Sequence, residues 1–176
     1  MEFVRIALAL KDRPRRGWQR IGIDRPESVA DHTWGVALLA LAAAEERPHL
    51  DRARLLELAL THDLAEAITG DLVPGEYADK GAKTALERRA LEDMVDTLPL
   101  PLRGRLLARF EELASDATEE ARLIHQLDKL EMAIQAERYH SQGRPRADLE
   151  PFHDSAAAGV SDPKLRDALG RLRRPR

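Results

Sequence analysis

Cysteine is absent from this 176-residue chain, which excludes disulfides, thiolate metal sites and thiol nucleophiles together. Any metal centre must therefore be built from His, Asp or Glu. Aromatic residues are only 4% of the chain, which leaves the composition to helix formers. No apolar run approaches the ~20 residues a membrane helix needs. The net charge of −3 gives no general footprint for nucleic acid, and the basic ending Arg171, Arg173, Arg174, Arg176 reads as a short solvated tail. An export leader is also missing: Glu2 stands where a cation belongs and Arg5 interrupts the apolar stretch, so the expected location is the cytoplasm. What is present is Ala, Leu, Glu and Arg in quantity, within a 43% hydrophobic fraction. These are strong helix formers and point to an all-α protein. The length suits a single domain over 1–176.

Apolar periodicity divides the chain into helices separated by turn signals. A first amphipathic helix carries Phe3, Ile6, Ala7 and Leu10. An arginine-dense segment from Asp12 to Glu27, with Pro14, Gly17, Gly22 and Pro26, reads as a loop long enough to have a task. A second helix starts at Ser28 and runs to Glu46, with His32 in its first turns. A third is capped by Asp51 and continues through His62 and Ala65 to Gly70. Further helices are expected over 80–97, 102–114 and 116–139. A short segment at 149–153 and a small-residue stretch at 155–159 precede a last helix opened by Asp162 and Pro163. About six to eight helices are expected in all.

The most informative feature is the pair His62-Asp63, which offers one nitrogen and one oxygen ligand, with Glu66 one helical turn further on. Alone it is weak. Six histidines and fifteen aspartates in this length yield about 0.5 such pairs by chance, and a second occurs at His153-Asp154. Asp128 adds weight by interrupting the apolar series Leu123, Ile124, Leu127, Leu130, Ile134, because a carboxylate facing a core needs a partner. A helix-edge acid pairing with Lys129 or Arg122 is the plainer account, and Glu131 is an equal candidate for the buried acid. His32 faces the same choice between a satisfied core histidine and a ligand. Inward residues on facing helices are how an α bundle builds a metal site. Asp71, after Gly70, is placed to turn back toward the helix end. Arg13, Arg15, Arg16, Arg20 and Arg25 supply planar forks suited to phosphate, and Trp18 a rigid surface, unless it only anchors a solvated loop.

Taken in order, Arg15-Arg16-Gly17-Trp18, Arg25 to His32, His62-Asp63-Leu64-Ala65-Glu66, Gly70-Asp71-Leu72 and Gln126 to Met132 resemble the blocks of the HD-domain superfamily of metal-dependent phosphohydrolases. Within it they are most similar to the HD-domain-containing 5′-deoxynucleotidases, over roughly residues 8 to 155. The resemblance implies an all-α HD-domain helical bundle. His32, His62, Asp63 and Asp128 would hold a divalent ion. Glu66 would be the catalytic carboxylate, and Asp71 would position substrate or water. In some relatives the equivalents of Glu66, Asp71 and the backbone of Leu72 hold a second ion. Arg15 or Arg16 would bind phosphate, and Trp18 would crowd the sugar's 2′ position. Implied too are a cofactor among Co, Mn, Zn, Ni, Fe and Mg, with Co or Mn favoured, a deoxyribonucleoside monophosphate as substrate, a homodimer, and no nucleic-acid or membrane partner. The alternatives are an HD phosphohydrolase acting on a cyclic nucleotide, guanosine tetraphosphate or a nucleoside triphosphate, or a non-catalytic metal- or nucleotide-binding module.

Overall fold

Local sequence signals set most helix starts in the computed structural model, which describes residues 2–173. Ser28 and Asp31 form a reciprocal capping box. The Ser28 hydroxyl accepts from the Asp31 amide at 3.1 Å, and the Asp31 carboxylate accepts from the Ser28 amide at 2.9 Å. Such a cap contributes roughly 1 kcal/mol and starts the helix that carries His32. The side chains of Asp51, Asp79, Thr118 and Asp162 also accept from backbone amides in the first turns of their helices.

In order the α-helices are α1 (Glu2–Ala7), α2 (Arg16–Arg20), α3 (Val29–Glu45), α4 (Arg52–Thr61), α5 (Glu66–Thr69), α6 (Lys80–Val95), α7 (Leu100–Ala114), α8 (Glu119–Ser141), α9 (Arg146–Gly159) and α10 (Pro163–Leu172), with a 3₁₀ turn over Leu8–Asp12. Seven of them have ten residues or more, and the described residues contain no strand, so the all-α bundle is borne out. Among the described residues no helix is long and apolar enough to cross a membrane. Arg174 and Arg176 of the basic ending lie outside the described residues, whereas Arg171 belongs to α10.

The 23-residue α8 is the central strut and packs against α3, α4, α7, α9 and α10. Its inward residues Leu123, Ile124, Leu127 and Leu130 meet Val36 and Ala40 of α3 and Leu55, Leu58 and Ala59 of α4 in the main core. A second core gathers Leu10, Val29, Leu64, Leu91, Met94 and Val95 beneath α6. A third holds Trp18, Met132, Ala136, Tyr139 and Leu149. Asp128 therefore sits where α8 passes between the first and third cores.

Three expectations need correction. The third helix does not run unbroken to Gly70: α4 ends at Thr61, and His62 to Ala65 form a turn before the short α5. Helical propensity loses here to the placement of His62 and Asp63 toward α3. The segment 12–27 is not all loop, because Arg16–Arg20 forms α2. Residues 149–159 belong to one helix despite Pro151. Leu149, His153 and Ala156 recur on one face and are buried, and packing that face on α8 outweighs the one hydrogen bond that proline removes. Gly70 does behave as expected, with φ +73° turning the chain after α5 in a region glycine adopts without steric cost.

Candidate metal centre

His32 reaches the site from α3, His62 and Asp63 from the turn after α4, and Asp128 from α8. His32 is fully buried. Its Nδ1 lies 2.6 Å from Glu131 Oε2, and His62 Nδ1 lies 2.8 Å from the Ala59 carbonyl. Both acceptors place the ring proton on Nδ1, which leaves the Nε2 lone pairs facing each other at 3.3 Å. Two opposed lone pairs repel unless a proton or a metal ion lies between them. Asp63 Oδ2 lies 3.2 Å from His62 Nε2 and 3.7 Å from His32 Nε2. Asp128 Oδ1 lies 3.1 Å from His32 Nε2. Ligands bonded to one ion at ~2.1 Å are themselves about 3.0–3.4 Å apart. The spacing and the mixed nitrogen and oxygen donors thus fit a divalent cation. Among the described residues, His32, His62 and Asp63 offer donor atoms within 4.8 Å of one another, and Asp128 joins them through His32.

The tool for holding these acids together in the protein itself is Arg15. Its guanidinium lies 3.4 Å from Asp63, 3.7 Å from Asp71 and 3.9 Å from Asp128. Arg16 points the other way, to Glu76 at 2.8 Å, while its backbone amide donates to Asp71 at 2.6 Å. Backbone pairing fixes this segment, with the Arg15 amide donating to Glu27 at 2.9 Å and the Val29 amide to Arg13 at 2.8 Å. The phosphate-binding candidates thus separate, Arg15 facing the acids and Arg16 facing outward. Asp71 is occupied by the arginine segment. Among the described residues a second group of side-chain donors is Glu27, His32 and Glu131.

Trp18 is 1% exposed. It stacks on Phe152 at 4.0 Å, meets Tyr139 edge-on and donates through Nε1 to Glu27 at 2.9 Å. Both faces are covered, and its edge borders a cavity of about 430 Å³ shared with Arg15 and Asp71. His153, of the twin dipeptide, is buried on α9 against Glu137 at 3.1 Å, remote in role from the cluster. Glu131 was legible as a possible buried acid but its task was not. It lies three residues after Asp128, on the same face of α8, and its carboxylate occupies the space a Cβ on Gly35 would fill, 2.7 Å away. Gly35 is what lets α8 approach α3 closely enough to orient His32.

Charges at the site shift accordingly. Burial opposes a proton on His32, as does Arg15, but hydrogen bonds to Asp128 and Glu131 outweigh them and raise it to about 9. Burial would raise Asp63 and Asp128. His62 instead draws Asp63 below the usual carboxylate range, and His32 does the same for Asp128. Glu66 is the exception. It is 2% exposed, and its Oε2 is buried without a hydrogen-bond partner. Burial first, then Asp63 and Asp71, push it up to about 10. Between its ordinary value of 4.5 and about 10, the folded metal-free protein holds one proton more than the unfolded chain, so Glu66 costs stability as pH rises. In chelator-treated protein, Glu66→Gln should therefore gain melting temperature relative to the wild type from about pH 5 to about pH 9. Parallel melting curves across that range would show that Glu66 already ionises in the fold.

The family model of the HD domain matches residues 7–166. The chain is 35% identical over 172 residues to the 5′-deoxynucleotidase HDDC2 of Mus musculus, covering 98% of this chain and 85% of that protein. It is 35% identical over 148 residues to the 5′-deoxynucleotidase hdd1 of Schizosaccharomyces pombe, covering 81% and 73%. A conserved hypothetical protein from Pyrococcus furiosus has the same fold, with a TM-score of 0.78 at 32% identity over 98% of both chains. A match of that extent, carried by the blocks that build this cluster, means that the chain belongs to the HD-domain family.

Proposed function

We propose that this chain is a metal-dependent 5′-deoxynucleotidase, acting as one domain, that hydrolyses deoxyribonucleoside 5′-monophosphates to deoxynucleoside and phosphate. One observation carries the reading: His32, His62, Asp63 and Asp128 gather with Arg15, while Glu66, buried with an unpartnered Oε2, feels the charge of Asp63 and Asp71. The 5′-deoxynucleotidase relatives support the reaction class.

His32, His62, Asp63 and Asp128 would hold the ion. When bound, a divalent metal supplies Lewis acidity, polarising a phosphoryl oxygen and easing deprotonation of water. A His₂Asp₂ set suits Co, Mn, Fe, Ni or Zn better than Mg, and Co or Mn is the ion proposed. Arg15 binds the phosphate, its planar fork matching two phosphoryl oxygens. Asp71 holds the Arg16 amide and so sets where Arg15 points. With a cation offsetting Asp63 and Asp71, the two acids that together with burial hold its proton on, Glu66 would be ionised and would accept a proton from the attacking water through its free Oε2. Water oxygen joins phosphorus, the bond to the sugar 5′-oxygen breaks, and the leaving oxygen takes up a proton.

Trp18, locked by Phe152 and Tyr139, borders the cavity beside Arg15 and would disfavour a 2′-hydroxyl by crowding. Excluding a hydroxyl sterically yields about 100-fold discrimination. The test is phosphate release from deoxy- and ribonucleoside monophosphates after chelation and stepwise return of Mn, Co, Zn and Mg. Metal-restored release favouring dNMPs is expected. Equal turnover of AMP and dAMP would remove the sugar selectivity, and activity unchanged by complete metal removal would overturn the reading.

A further inference from the structure

A cavity of about 190 Å³, distinct from the one that Trp18 and Arg15 line, is bordered by His62, Asp63 and Asp128 together with Lys80 and Lys83 of α6. Lys83 is half-buried. Its Nζ stands 3.9 Å from Glu66 Oε1 and 3.2 Å from Glu87 Oε1. The first distance exceeds a hydrogen bond, so Glu66 does not consume the ammonium. The second is a pair between residues four apart on one helix, a contact worth only a few tenths of a kcal/mol. An ammonium carries three donors, and Glu87 takes one.

The charge balance of the site asks for such a group. The three aspartates and an ionised Glu66 are balanced by Arg15, by Lys129 at 3.2 Å from Asp128 and by a divalent ion, so a phosphate monoester dianion would bring two uncompensated negative charges into a largely buried cluster. Arg15 lies against Asp63, Asp71 and Asp128. Lys83 lines a cavity with His62, Asp63 and Asp128 that Arg15 does not line.

We propose that Lys83 is a second phosphate-binding residue, which contacts a phosphoryl oxygen from the α6 side so that the group is clamped between two side-chain cations. The inference rests on the phosphomonoesterase reading. Its role is to bind phosphate in substrate and product alike, which gives a readout independent of turnover.

Inorganic phosphate is titrated calorimetrically into Mn-loaded wild type, Lys83→Met, Lys83→Arg and Glu87→Gln, and dNMP kinetics are measured on the same proteins. Lys83→Met should weaken phosphate binding and raise KM by about tenfold or more, the loss typical of one charge-assisted hydrogen bond. Its Mn affinity and melting temperature should stay unchanged. Lys83→Arg should recover most of the loss. Glu87→Gln breaks the same ion pair but keeps the cation, and should stay within about twofold of wild type. Unchanged phosphate affinity in Lys83→Met overturns the proposal, as does an equal loss in Glu87→Gln. A fall in kcat alone also overturns it, because Lys83 would then act through Glu66. If phosphate binds through Lys83 but no dNMP is hydrolysed, the deoxynucleotidase reading fails and the phosphate site stands. If dNMP turnover proceeds with KM unaltered in Lys83→Met, the reverse holds.

Discussion

Glu66→Gln should lower kcat by about 10²–10⁴-fold while metal affinity stays within measurement error. Glutamine has nearly the same shape, so it fits the pocket between α5 and α6 without opening a cavity. It cannot take a proton from water. No distance assigns Glu66 to the four-residue cluster, so its loss should leave the ion in place. The measurement pairs saturating-metal kinetics on a dNMP with calorimetric titration of Mn into the same preparation. A variant that keeps wild-type turnover would reduce Glu66 to a buried acid with a structural task. One that loses the metal along with activity would make it a ligand. The stability gain expected for this substitution in alkaline, metal-free protein guards against misfolding as the cause.

Asp128→Ala should abolish metal-dependent activity and weaken metal binding by more than ~100-fold, since loss of a residue that merely supports a ligand already costs 10–100-fold. Asp128 is the acid nearest His32 Nε2, at 3.1 Å, and one of three carboxylates facing Arg15. Its other oxygen meets Lys129 at 3.2 Å, which is the pairing a plain helix-edge aspartate would use. The two roles differ in a thermal-shift experiment. Excess Mn should raise the melting temperature of the wild type, because an ion bound only by the folded state stabilises it. The variant should show no such shift. Asp154→Ala, an exposed change at the twin dipeptide, should retain the full shift. A normal Mn-induced shift in Asp128→Ala would return Asp128 to its pairing with Lys129.

Much of this was open to reading along the chain because the signals are local. The helix start at Ser28, the Asp51 cap and the turn at Gly70 depend on residues within four positions of each other, and the fold uses them as expected. His32, His62, Asp63 and Asp128 also stood out as polar residues interrupting apolar faces. The break after Thr61 did not show, since His62 through Ala65 have ordinary helical propensity. Only contact with α3 and α6 gives that turn a reason. Trp18 carried two readings that no local signal could separate, and its burial against Phe152, 134 positions away, depends on where α9 docks.

The amino-acid sequence by itself determined the all-α class and the absence of thiol chemistry, because composition and periodicity act over a few residues, while the set of candidate ligands came from the resemblance of its motif blocks to a family. Tertiary structure alone decided that the Arg15 side chain and not that of Arg16 faces the acids, that Glu131 orients His32 across the gap left by Gly35, and that Lys83 lines a cavity with His62, Asp63 and Asp128. Those outcomes turn on angstrom-scale distances between residues far apart in the chain, 48 positions for Arg15 and Asp63 and 99 for His32 and Glu131, which are set by helix packing, and no local pattern encodes a crossing point.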